Sequence, residues 1–243
     1  MARKRSKAYA DAISRVDTKA EYSLREAVDV VKQVSFAKFD ETINVDVALG
    51  VDPRHADQMV RGTVSLPHGT GKSVRVLAIV AADKEKEATE AGADFVGAED
   101  IVAKIKGGWL EFDVVVTSPD MMRHVGQLGK ILGPRGMMPN PKVGTVTTNI
   151  TGAISEIKAG RLEYKVDKYG LIHLPVGKRS FKEAQLFENL AVVLDTLFRA
   201  KPASAKGTYM KSVTVSPCMG PGIKVDVSGV KTEVESVKTA LLS

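Results

Sequence analysis

Residues 74–80 read Val-Arg-Val-Leu-Ala-Ile-Val, and no other stretch restricts the possible folds as strongly. The run is apolar apart from Arg75, and far too short to span a membrane. A strand without polar alternation is covered on both faces, the mark of a mostly parallel sheet between helices. Phe112 to Thr117 has the same texture and predicts a second buried strand. Helical stretches are expected around 84–91, stopped by Gly92, and around 99–105. Ser118-Pro119-Asp120 offers an N-cap, a proline at the first helical position and an acid in the first turn, so a third helix is expected there. Buried strands alternating with helices indicate βα units, hence a Rossmann-like three-layer α/β module over 68–159.

The two ends of the chain are written differently. Ser23-Leu24-Arg25-Glu26 is a capping box, and Leu24, Ala27, Val28, Val31 and Val34 recur at helical spacing behind it. Ile43, Val45, Val47, Leu49 and Val51 alternate with polar or small residues, as in a strand with one wet face. Ser180-Phe181-Lys182-Glu183 repeats the capping box, and the helix it opens runs to Pro202. Strands are expected at 161–166, 171–176, 210–216 and 223–227, with Asp167-Lys168-Tyr169-Gly170 as a hairpin turn between the first two. The fold class is therefore α/β in two domains. A discontinuous α+β sandwich is built from 1–67 and 160–228, the α/β module is inserted into it, and 229–243 forms a C-terminal extension, either a short charged helix or disordered. Pro67, Gly69 and Gly160 mark the two crossings as a hinge, with relative domain motion as the default expectation.

Net charge is +6 over 243 residues, a weak hint of a polyanionic partner. Its distribution says more. Residues 68–159 hold 11 Lys+Arg and 11 Asp+Glu, whereas the remainder holds 24 and 18. All of the surplus belongs to the two-ended domain, the better candidate for an RNA or DNA face. Met1-Ala2-Arg3-Lys4-Arg5-Ser6-Lys7 is basic but leads into no apolar segment, so no secretory signal is expected.

Chemistry of other kinds finds little support. Gly69-Thr70-Gly71-Lys72-Ser73 resembles the end of a phosphate-binding loop, but the glycine needed five positions before Gly71 is Leu66, and a strand follows rather than a helix. A nucleotide-dependent enzyme built on the inserted domain is thus the disfavoured alternative. His55, His68, His124 and His173 share no metal-ligand spacing, and one cysteine, Cys218, excludes both a disulfide and a Cys-rich zinc site. No catalytic residue, metal or cofactor is expected. The loop Gly133 to Lys142, with two glycines and three prolines, places Arg135 and Lys142 as possible secondary RNA contacts, and a rigid crossover is its rival reading. Aromatic residues are 5% of the chain, which argues against a base-stacking platform and for reading the shape of a folded RNA.

Several long segments identify a family by resemblance: Lys38-Phe39-Asp40-Glu41-Thr42, the stretch from Asp52 to Thr63, Leu66-Pro67-His68-Gly69-Thr70-Gly71-Lys72, Ala91-Gly92-Ala93-Asp94, Leu132 to Gly136 with Met138 to Lys142, and Met219-Gly220-Pro221. In this order, over 5–228, the chain resembles the bacterial ribosomal protein L-one family. The resemblance implies a cytoplasmic protein of the large ribosomal subunit that binds rRNA as a monomer and forms the mobile stalk beside the tRNA exit site. It also implies help in moving and releasing deacylated exit-site tRNA, and repression of its own operon through mRNA. Its RNA-contacting positions fall here on Lys38, Phe39, Thr42, Asp167, Lys168, Ser212, Met219 and Gly220, with Cys218 beside them. That cysteine stands where the family usually has threonine. A thiol is a weaker hydrogen-bonding group than a hydroxyl, so the exchange is expected to weaken any contact made there.

Overall fold

The structure, a computed structural model, describes residues 6–242, with 238–242 described by backbone alone. The basic opening Met1–Arg5 lies outside the described residues, as does Ser243. Helix α1 (Lys7–Ser14), which the sequence reading did not anticipate, is capped by the Ser6 hydroxyl. Helix α2 (Leu24–Val34) starts on the complete capping box: the Ser23 hydroxyl accepts from the Glu26 amide, and Glu26 accepts from the Ser23 amide. Strand β1 (Thr42–Leu49) alternates strictly between buried and half-buried residues. Strand β2 (Arg61–Ser65) was not foreseen, because Val64 is its only fully buried residue and no alternation signals it.

The chain then enters a separate compact unit, Lys72–Arg161. Its strands are β3 (Val76–Ile79), β4 (Phe95–Gly97) and β5 (Val114–Thr117), all parallel with β3 in the centre. Between and after them lie α3 (Glu85–Glu90), α4 (Glu99–Lys106), α5 (Met122–Gly126), α6 (Gly129–Leu132) and α7 (Ile150–Lys158). Two cores sit on opposite faces of the sheet. Leu77 and Ile79 pack with residues of α4, α5 and α6, while Val76, Ala78 and Val80 pack with α3 and α7. The apolar run of β3 is continuous because both of its faces are covered. The helix expected after Ser118 does begin there, with Ser118 at the N-cap position and Pro119 and Asp120 in the first turn, but as a 3-10 segment, Pro119–Met121, ahead of α5, and the buried Ser118 hydroxyl makes no capping bond.

The returning chain completes the first unit, which comprises everything up to Gly71 and from Leu162 onward. It contributes β6 (Arg161–Lys165), β7 (Leu171–Lys178), α8 (Glu183–Arg199), β8 (Met210–Pro217), β9 (Ile223–Val225) and α9 (Val227–Leu242). The main sheet has the order β7-β1-β8-β9 and is antiparallel throughout. Its inward side chains, among them Val45, Val47, Leu174, Val213 and Val215, share one core with α2, α8 and α9. A second sheet pairs β2 with β6. Asp167–Gly170 is therefore not a hairpin within one sheet. It is a corner between two sheets, because β7 takes β1 as its neighbour.

Two further corrections concern helix ends. Helix α8 opens at Glu183, with the Lys182 amide donating to Gln185 Oε1, and not on Ser180. Ser180 is drawn away by Asp40, whose carboxylate accepts from both its amide and its hydroxyl. Of the two readings of the C-terminal extension the helix is the one found over its described residues, and it packs on the first unit. Val230, Val234 and Val237 of α9 are buried in the first unit's core, and Glu233 accepts from the Leu24 amide.

Candidate nucleic-acid interface

Helices cover one side of the four-stranded sheet. The other side carries the alternate residues of each strand: Thr42, Asn44, Asp46 and Ala48 on β1, His173 and Pro175 on β7, and Ser212, Thr214 and Ser216 on β8. All are half-buried or exposed, mostly small and polar. Register orders them along the face. Thr42 lies opposite Lys178 and Ile43 opposite Pro217 at one end, and Ala48 lies opposite Leu171 and Ser212 at the other. Six residues of strand separate these ends, about 20 Å.

The expected RNA-contacting residues fall into two groups, one at each end. Lys38, Phe39, Thr42, Cys218, Met219 and Gly220 gather where β1 begins and β8 ends. Asp167, Lys168 and Ser212 gather where β1 ends. Phe39 and Met219 are 55% and 54% exposed, which is unusual for large apolar side chains and places both where a partner can cover them. Lys38 and Cys218 are exposed as well. Lys178 Nζ donates to the Thr42 hydroxyl at 2.9 Å, leaving that hydroxyl able to donate in turn. Gly220 is required by close approach: a Cβ there would lie 2.5 Å from the Pro217 ring and 3.3 Å from the Val34 carbonyl.

Sequence reasoning missed the group that joins the two loops of the first cluster. Glu41 is fully buried. One of its carboxylate oxygens accepts from the Ala37 amide at 2.6 Å and the other from the Met219 amide at 3.1 Å, while its own carbonyl accepts from the Arg179 amide. A single carboxylate thus clamps the Lys38–Phe39 turn to the Met219 loop. A glutamate beside a turn reads as a surface charge, and no local pattern announces this role.

At the other end, Asp167 Oδ1 accepts from the amides of Tyr169 and Leu171. Its carboxyl is held below the usual range, chiefly by the Leu171 amide. The carboxylate is engaged in shaping the corner, and Lys168 and Tyr169 are what the corner presents. Tyr169, 78% exposed with the Lys168 ammonium 5.9 Å from its ring centre, is a further exposed group that the sequence reading passed over.

Arg135 and Lys142 belong to the other unit. Their loop is an ordered crossover: Arg135 and Met137 amides donate to the Leu132 carbonyl, the Asn140 amide donates to the Thr145 hydroxyl, and Met137 and Met138 pack on the core. Both basic side chains are exposed. Near the first crossing, Asn189 of α8 accepts from the His68 amide and donates to the Gly69 carbonyl, fastening this segment to the first unit, so the dividing point falls at Gly71. Gly69 and Gly160 have φ of 64° and 104°, conformations that favour glycine. With the boundaries at Gly71 and Arg161 the inserted unit gains Arg161, and the charges become +5 on the two-ended unit and +1 on the inserted one.

Among the described residues no group of three or more His, Cys, Asp or Glu is placed to hold a metal ion, and no helix is long and apolar enough to cross a membrane. A bare polar sheet face, fringed by lysines and exposed apolar side chains on glycine- and proline-rich loops, has the chemistry of a surface that takes up a folded polyanion. The model of the ribosomal protein L1p/L10e family matches residues 31–221, and the chain belongs to that family. It is a structural ribosomal protein that binds large-subunit rRNA, and its place is the cytoplasmic ribosome.

Proposed function

We propose that the two-ended unit carries the main rRNA site, on the open face of its four-stranded sheet, and that the protein bound there forms the mobile stalk beside the tRNA exit site. Lys38 and Lys168 meet phosphates at the two ends. Phe39 and Met219 cover apolar parts of the RNA, and Thr42, Ser212 and the backbone around Cys218 and Gly220 read 2′-hydroxyls. Asp167 contributes by holding the corner that presents Lys168. Arg135 and Lys142 are secondary contacts on the inserted unit, and Pro67, Gly69 and Gly160 lie beside the two crossings, at Gly71 and Arg161, that give the stalk its mobility. The monomer on the ribosome assists the movement and release of deacylated exit-site tRNA. The same face binds an mRNA site of similar shape and so represses its own operon.

The observation that carries this reading is the placement of all nine expected contacts of the two-ended unit at the two ends of one bare sheet face. The enzyme alternative has no comparable support. The test is binding of the full chain to a large-subunit rRNA stalk fragment, to an operon mRNA leader and to unrelated RNA across a salt series. Preference for the first two, with a steep negative dependence of log K on log salt, supports the proposal. A flat salt dependence, or equal affinity for unrelated RNA, overturns it.

A further inference from the structure

The middle of the open face, between the two groups of expected contacts, holds a row of residues with no role so far. Register sets Asp46 opposite both His173 and Thr214, and Thr214 opposite Lys224, so that these four cross β7, β1, β8 and β9 side by side. His173 Nδ1 lies 2.6 Å from Asp46 Oδ1, and Ser216 Oγ lies 3.4 Å from Asp46 Oδ2. A carboxylate only accepts, so the proton of the first bond sits on Nδ1. This fixes the ring's tautomer and orientation and leaves Nε2 as its second functional atom, on a side chain 57% exposed.

A lone carboxylate at the centre of a face for RNA is electrostatically adverse, because it repels the phosphates drawn in by the lysines at either end. An imidazolium beside it cancels that charge and adds a donor at Nε2. We propose that His173, protonated and held in place by Asp46, contacts an RNA phosphate at the centre of the face; this rests on the reading of that face as the rRNA surface. The charged groups facing His173 are Asp46 on β1, Asp167 in the corner before β7, whose carboxyl feels the His173 charge, and Lys224 at the far end of the row.

The consequence is an affinity that depends on whether the His173 ring carries its second proton. With an imidazolium the Asp46–His173 pair is neutral and donates to phosphate. With a neutral ring the pair carries one negative charge and Nε2 has no proton to give. The experiment measures binding of a fluorescently labelled large-subunit rRNA stalk fragment to the full chain, as wild type and as His173→Gln, at pH 6 and pH 8 over a salt series. The wild type is expected to bind about tenfold more weakly at pH 8 than at pH 6, the loss of one charge-assisted contact. His173→Gln is expected to show almost none of this change, and at pH 6 its salt slope is smaller by about one phosphate's worth. The variant keeps His55, His68 and His124, so their titration cancels in the comparison. A variant that keeps the wild-type pH profile and salt slope overturns the proposal. Wild type that prefers the rRNA fragment at neither pH is a separate outcome, which removes the rRNA reading and this contact with it.

Discussion

In the inserted unit helices cover the sheet on both faces, whereas in the two-ended unit they cover one face and leave the other to solvent. The parallel three-stranded sheet has two cores and no side to offer, so anything this unit binds must meet its loops or the outer faces of its helices. The antiparallel sheet has one core and a bare face of small polar residues. The charges follow the same division, with most of the net positive charge on the unit that has the open face. Sheet type thus decides which unit keeps a broad open face and which has both faces of its sheet covered.

The hardest test of this contrast is a pair of double variants. Phe39→Ala with Met219→Ala removes two exposed apolar groups from the face and is expected to weaken rRNA binding about a hundredfold, at roughly 1–3 kcal/mol for each contact. Arg135→Ala with Lys142→Ala, on the inserted unit, is expected to weaken it by about tenfold or less, mostly through the salt-dependent part. Titrations at matched ionic strength would reverse the ranking of the two units if the second pair lost more.

A smaller effect is expected where the face is assembled rather than where it touches RNA. Glu41→Gln replaces one accepting oxygen with a donor facing a buried amide. It should lower the stability of the two-ended unit by about 1–3 kcal/mol, read from the urea midpoint, and loosen the RNA loops with it. Conversely, Asp113 anchors the inserted unit. Its carboxyl is pulled down to about 2, first by the Lys72 ammonium and then by the Arg75 amide and side chain. A carboxyl held below its unfolded value of about 3.9 contributes stability above that value, and the contribution is lost as pH falls through about 2. Asp113→Asn should therefore lower the unit's stability near neutral pH and flatten its dependence between about pH 4 and pH 2. The single tryptophan, Trp109, packs edge-on against Phe95 within the inserted unit, so its fluorescence follows that unit alone. An unchanged acid profile in the variant would show that Asp113 is not what limits the unit.

The smallest expected change is at Cys218. Cys218→Thr exchanges an exposed thiol for a hydroxyl beside Met219 and is expected to tighten rRNA binding about twofold. Equal affinities would mean that the side chain at this position does not meet RNA.

Much of the architecture could be read in advance where the signal is local. The strict alternation of β1, the capping box of α2 and the unbroken apolar run of β3 each specify an element and its burial from residues within a few positions. Failures came where a partner distant in sequence competes. Ser180 has the right spacing to cap α8, yet Asp40 takes its amide and hydroxyl. Ser118 is a different case: it holds the N-cap position as its neighbours suggest, yet its buried hydroxyl makes no capping bond. Valines 230, 234 and 237 already had helical spacing in the sequence, obscured by the charges between them, and only the core shows that α9 belongs to it. The candidate site divides the same way. Phe39, Met219 and the lysines stand out by motif, but nothing local marks Glu41, whose carboxylate accepts from amides of two separate loops.

By itself the sequence determined the two strand textures, hence two kinds of sheet, and the division of charge between them, because hydrophobic periodicity and composition are properties of neighbouring residues. The tertiary structure alone decided that 38–42 meets 218–220 at one end of a bare face, that Asp167 and Lys168 stand at the other, and that His173 lies against Asp46 between them. These meetings are set by the register of β1 with β7 and β8, over separations of more than a hundred residues. A shift of one residue would turn every side chain of a strand to the opposite face, and only the packed core fixes which register holds.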